Sequence, residues 1–239
     1  MCPSLDSTER LDRPAETADR SVGLILVAMV ALTVFFYHLR VDTIGVVRGG
    51  GALRPMTGPV LPFMSHNLAA LGVLGIVPLL AARWLCGRRL RDLGLGRGRW
   101  RLGLVWVAVG IPLALLAGWA SAGKPLTQAV YPLNPDLRPD FLAFLTHMAG
   151  QLVYYLGWEI LFRGVLLFGL ERRIGFAAAN MIQTALSVIA HFGRPVTETL
   201  AAIPAGLAFG GIAHRTRSIW YVVVIHLVVG AAQDWFIVR

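Results

Sequence analysis

Five ionisable residues interrupt otherwise apolar stretches of this 239-residue chain: Glu159, Arg163, His191, His226 and Asp234. A carboxylate can take a proton from water, an imidazole can carry a proton or hold a developing oxyanion, and a guanidinium can grip a carboxylate. These are the parts of an acid/base hydrolytic site. Glu159 and Arg163 are four residues apart, which puts them on one helix face within ion-pairing reach. Two bland readings stand beside the catalytic one. A buried ion pair can simply fix helix packing, and a single histidine in a membrane span is more often a hydrogen-bonded packing residue. Two histidines on neighbouring stretches, added to a carboxylate, favour chemistry.

The elements that must hold these residues are membrane helices. Of all residues 56% are hydrophobic and 15% charged, against roughly 25% charged in an ordinary soluble domain. Mean hydropathy is +0.65. Apolar runs fall at 21–39, 66–85, 102–120, 141–170, 176–192, 200–213 and 218–238, most of them long enough for a hydrocarbon core about 30 Å thick. The fold expected is an all-α polytopic transmembrane helical bundle of about seven spans. Residues 1–20 are polar and of mixed charge and read as a disordered cytoplasmic tail. Residues 21–101 hold the N-terminal spans and a basic loop, and 102–239 form the core that carries the candidate site.

The net charge of +9 does not indicate nucleic acid, because the basic residues sit in short loops and not on an aromatic-interleaved stripe. Their distribution sets orientation instead. With the N-terminus inside, inner segments carry 14 Lys and Arg and outer segments 7. Cys2 and Cys86 are too few for a disulfide framework. His38, His66, His147 and His214 fall near span ends, where interfacial solvation explains them. At about 1.5 Å per residue from the inner loops, Glu159 lies roughly 16 Å deep and His226 roughly 12 Å, whereas His191 and Asp234 lie roughly 25 Å deep. Convergence of all five requires kinked or tilted spans, and Gly157, Gly164, Gly193 and Pro195 allow them.

The stretch from Tyr154 through Trp158, Glu159, Phe162 and Arg163 to Gly164 resembles the first motif of the CPBP family, which groups CaaX prenyl endopeptidases with bacteriocin-processing and immunity proteins. The family pattern runs Glu-Glu-x-x-x-Arg, then Phe-x-x-x-His one span later, then His-x-x-x-Asn or Asp. Glu159 and Arg163 match the second Glu and the Arg, His191 the second-motif His, and His226 the third-motif His. Trp158 stands in place of the first Glu, Ser187 in place of the Phe, and Gly230 in place of the Asn or Asp, with Asp234 one turn further on. A subgroup with Trp-Glu in the first motif and His-Phe-Gly-Lys/Arg-Pro in the second is similar to this chain, which has His191-Phe192-Gly193-Arg194-Pro195.

The resemblance implies an intramembrane glutamic endopeptidase of the bacterial inner membrane, acting on a membrane-anchored protein or peptide and needing no cofactor. Glu159 would activate water with Arg163 orienting it, His191 and His226 would hold the oxyanion, and Asp234 would fix one imidazole tautomer. Zinc held by Glu159, His191 and His226 is the second choice. The rival class is a membrane scaffold or bacteriocin-immunity protein without turnover. A transporter would want symmetric halves or paired broken helices, and neither is visible. The basic bias predicts a cytoplasmic N-terminus and a cytoplasmic 83–101 loop, so a reporter fused after Gly98 should be active only in a form that reports the cytoplasm. Periplasmic activity from that fusion would reverse the orientation.

Overall fold

A computed structural model describes residues 13–39, 63–85, 87–134 and 137–239. Among them are seven long helices. The first, α1, is α-helical over Arg13–Val34 and continues as a wider π-helical turn over Phe35–Leu39. The second, α2, runs through Phe63–Ala70, a π segment Leu71–Ile76, and Val77–Leu85. Then come α3 (Trp100–Ala122), α4 and α5 within Phe141–Ala190, α6 (Val196–Thr216) and α7 (Trp220–Val238). The structure bears out the expected all-α bundle, and five segments are long and apolar enough to cross a membrane. A sixth, shorter apolar helix is Val22–Val34.

Helix α1 takes in part of the polar segment 1–20. The helix begins at Arg13. Residues 1–12, the connection 40–62 with its glycine run, Cys86 and Pro135 lie outside the described residues.

At 1.5 Å per residue the 50-residue segment Phe141–Ala190 would be about 75 Å long, more than twice a hydrocarbon core. It must turn back, and it does so at Gly175 (φ 80°, ψ 162°), which separates α4 from α5. That backbone region is essentially open only to glycine. Gly175 falls between the fourth and fifth apolar runs, 141–170 and 176–192.

Helix α4 is the axis of the bundle. From Gly157 to Leu170 every residue is buried. Small residues let neighbours approach it closely, as is usual where lipid offers no hydrophobic drive. A Cβ on Gly157 would lie 2.9 Å from Leu71 Cα, so α2 and α4 cross almost backbone to backbone at this point. Helix α3 lies on α7 through Gly103, Gly110 and Gly118, each against a side chain or backbone of α7. Its other face exposes Val105, Val109, Leu113, Leu116 and Trp119, an apolar surface suited to lipid and not to water. Amides clip α5 to α6: Gln183 Nε2 donates to Gly206 O at 3.0 Å and Asn180 Nδ2 to Leu207 O at 3.2 Å.

A Cβ added at Gly175 meets nothing within 4 Å, so the effect of Gly175→Ala should come from backbone strain alone. We expect a loss of about 1–3 kcal/mol in stability. Thermal unfolding in detergent unchanged from the parent would show that the reversal does not depend on this conformation.

Candidate active site

Five residues on α4 recur every fourth position: His147, Gln151, Tyr155, Glu159 and Arg163. On a helix such a series forms one continuous stripe. Helix α7 answers with His226, Gly230 and Asp234 at the same interval. The two stripes face each other in antiparallel order. His226 Nδ1 lies 2.7 Å from Glu159 Oε1, Tyr155 fills the space beside Gly230, and Asp234 Oδ2 accepts from Gln151 Nε2 at 3.1 Å and lies 2.8 Å from His147 Nε2.

The Glu159 carboxylate is fully enclosed. Arg163 Nη1 donates to Oε1 and sits 3.2 Å from each carboxylate oxygen. The guanidinium is itself buried, with its carbon 5.4 Å from the centre of the Phe209 ring. Arg163 thus supplies the compensating charge that a buried carboxylate requires. Directly after Glu159 the helix widens into a π segment, Ile160–Phe168, a distortion frequent at functional sites. Half-buried His226 packs between Tyr155, at 4.2 Å between ring centres, and Phe209, at 5.4 Å.

His191 ends α5. Its Nδ1 lies 2.7 Å from the carbonyl oxygen of Ser187, one of the helix-end carbonyls left without an intrahelical donor. A carbonyl only accepts, so Nδ1 carries the proton and the neutral ring offers Nε2 as an acceptor. Trp158 stands edge-on to this imidazole at 5.3 Å and also packs on Phe162 and Phe35.

A narrow cavity with two lobes runs past these groups. His191, His226, Tyr155, Gln151, Tyr131 and Glu198 line both lobes. One lobe extends toward Phe35, Trp158 and Arg194, and the other between α6 and α7 toward Ala205, Gly230 and Asp234. The segment joining α3 to α4 reaches over it. Tyr131 donates to Glu198 at 2.8 and 2.9 Å to the two oxygens, and Arg194 lies over the Tyr131 ring. Burial pushes the Tyr131 phenol well above its ordinary value, so it stays a donor.

Glu159, Arg163 and His226 therefore meet directly, and His191 joins them across the cavity. Asp234 does not join either of these imidazoles, although it was expected to fix the tautomer of one. Its partner is His147, which is buried and not solvated at a span end as expected. His214 is likewise paired, with Glu171 Oε2 at 2.8 Å, and Arg217 binds the other oxygen of that carboxylate. Gln151 and Tyr155 were missed. The signal for both was the four-residue period running from His147 to Arg163, visible only when the uncharged polar residues are counted with the charged ones. Among the described residues no three of His, Cys, Asp and Glu are arranged to hold a metal ion, and the set Glu159, His191 and His226 is not such a group.

Comparison with known proteins gives one match. Residues 139–232 match the family described as type II CAAX prenyl endopeptidase Rce1-like. No curated protein and no solved structure matches the chain. The matched segment begins at the start of α4 and ends inside α7, so it contains both polar stripes except Asp234, together with His191. The chain is an integral membrane protein whose residues 139–232 form a domain of the Rce1-like type II CAAX prenyl endopeptidase family.

Proposed function

We propose that the protein is an endopeptidase of the bacterial inner membrane that hydrolyses a peptide bond of a membrane-associated protein or peptide, using the Glu159 and His226 pair to activate water. The observation that carries this reading is the 2.7 Å contact between Glu159 Oε1 and His226 Nδ1, with Arg163 on the same carboxylate, at the wall of a cavity shared with His191. The family domain implies a protease acting on protein substrates.

Glu159 is enclosed and lies behind His226, so it acts on water through the imidazole. As a carboxylate it accepts from Nδ1–H and leaves Nε2 of His226 as an acceptor toward the cavity. Among the described residues Nε2 has no protein partner. Water in the cavity then donates one hydrogen to His226 and the other to His191. As the water oxygen attacks the carbonyl carbon, its proton moves to His226 Nε2, and Glu159 stabilises the imidazolium. The same proton passes to the leaving amine when the C–N bond breaks. This is the acid–imidazole logic of hydrolytic triads. His191, backed only by a neutral carbonyl, orients the water. In this scheme the two histidines enter as acceptors and not as the oxyanion donors anticipated for them.

Trp158 favours one rival. It occupies the place of the family's first Glu and is almost fully buried among aromatic rings, with Nε1 enclosed and unpartnered. A scaffold or immunity protein that had filled its site in with an indole would look like this. Turnover separates the readings. Glu159→Gln retains the shape, but its amide can donate to Nδ1 and so fix the unproductive tautomer of His226. Cleavage of a co-expressed panel of membrane-anchored reporter peptides should fall by roughly 10⁴-fold while the variant remains folded. Cleavage at the wild-type rate would remove Glu159 from the mechanism. Arg163→Leu should act differently, lowering stability by about 3–5 kcal/mol because it strands a buried carboxylate. An Arg163→Leu protein as stable as the parent would show that the pair is not mutually required.

A further inference from the structure

A hydrolytic site needs a donor for the oxyanion, and the geometry around Gly230 supplies one that is not among the five ionisable residues. Both histidines turn acceptor nitrogens to the cavity in their neutral forms, and Glu159 lies behind one of them. The donors along the cavity are few. Tyr131 is committed to Glu198, and Gln151 donates to Asp234. Arg194, Tyr154 and Trp158 line only one lobe and Gln233 only the other. Tyr155 lies at the junction of the lobes, packed on His226 at 4.2 Å, and its hydroxyl makes no hydrogen bond with the described residues. It is also not among the enclosed polar atoms, so it opens onto the cavity.

The position of that hydroxyl is informative. A Cβ built on Gly230 would overlap it. Gly230 is one helical turn after His226, and a polar side chain there would reach toward the same reacting carbonyl as the imidazole. The Tyr155 hydroxyl, coming from α4, occupies the volume that such a side chain on α7 would fill.

We propose that Tyr155 is a catalytic residue whose phenolic O–H donates to the oxyanion formed when water adds to the scissile carbonyl beside His226. The inference rests on the hydrolytic reading above. As the water oxygen bonds to the carbonyl carbon, the π pair of the C=O moves onto oxygen and is held by the Tyr155 hydrogen bond, while the water proton resides on His226. The pair returns to re-form the C=O as the C–N bond breaks and His226 protonates the amine. Tyr155 keeps its proton throughout, and no other reactant is required.

Tyr155→Phe tests this, because it keeps the ring against His226 and beside Gly230 and removes only the donor. Wild type, Tyr155→Phe and Glu159→Gln should be compared in proteoliposomes on whichever member of the membrane-anchored reporter panel the wild type cleaves. The expected result is a fall of roughly 10²–10³-fold in kcat for Tyr155→Phe, with KM changed little and the unfolding temperature retained. An unchanged kcat, or a loss confined to KM, overturns the role of Tyr155 while leaving the Glu159 and His226 pair standing. If the wild type cleaves no reporter, or Glu159→Gln cleaves as well as the wild type, the hydrolytic reading itself fails and takes this inference with it.

Discussion

The fold depends on one constraint above others: the carboxyl group of Glu159, buried in the middle of a membrane bundle, must find its partners inside the protein. In hydrocarbon an isolated carboxylate is not tolerated. Arg163 meets it from one turn along the same helix, and His226 meets it from across the α4 and α7 interface. The first contact is local and could form in α4 alone. The second cannot, and it fixes both the register and the antiparallel order of α7 against α4. Once His226 faces Glu159, the four-residue period of both helices brings Gly230 to Tyr155 and Asp234 to Gln151 and His147.

The rest of the bundle makes room for this seam. Polar groups are held at close range only if the helices can approach, and in lipid that approach comes from small residues and dispersion. Gly157 sets α2 against the helix turn just before Glu159, and the glycines of α3 bring that helix onto the back of α7. Amide contacts join the body of α5 to α6, and Thr199 Oγ1 of α6 donates to His191 O at 3.0 Å, which holds the end of α5 at the rim of the cavity. The π turn after Glu159 lies where α4 is wholly enclosed, so its irregular hydrogen bonding is kept from lipid, as membrane proteins require.

Much of this was legible because it follows from local rules. The pairing of Glu159 with Arg163 is dictated by spacing, and the reversal at Gly175 by length, since no single helix of that size fits a bilayer. Depth arithmetic put Glu159 and His226 within about 4 Å of the same level and Asp234 well away from both, as its separate pairing with His147 requires, but it put His191 at the level of Asp234 as well, whereas His191 lines the cavity with His226. The errors arose where position along the chain stood in for environment. His147 is only six residues from the start of its helix, yet the packing of Phe63 against it, at 4.9 Å between ring centres, takes it out of solvent. That contact joins residues far apart in sequence, and no periodicity announces it. Tyr155 was passed over for a related reason. One tyrosine among several aromatics carries no signal until the glycine opposite it is known.

The departures from the family pattern become intelligible as changes on two sides of one helix. Successive positions on α4 point about 100° apart, so Trp158 and Glu159 cannot serve the same neighbour. Trp158 faces Phe35 of α1 and His191, whereas Glu159 faces His226 of α7. An acid at position 158 would address His191 directly. With an indole there, the His191 ring is bonded to the carbonyl of Ser187, and the carboxylate lies on the His226 side. Gly230 completes the shift. By leaving a gap on α7 one turn from His226, it admits the Tyr155 hydroxyl from α4 into the centre of the cavity. The missing side chain at position 230 of α7 and the Tyr155 hydroxyl from α4 are thus one packing arrangement, and the polar group that it sets in the cavity is a donor beside a histidine that accepts.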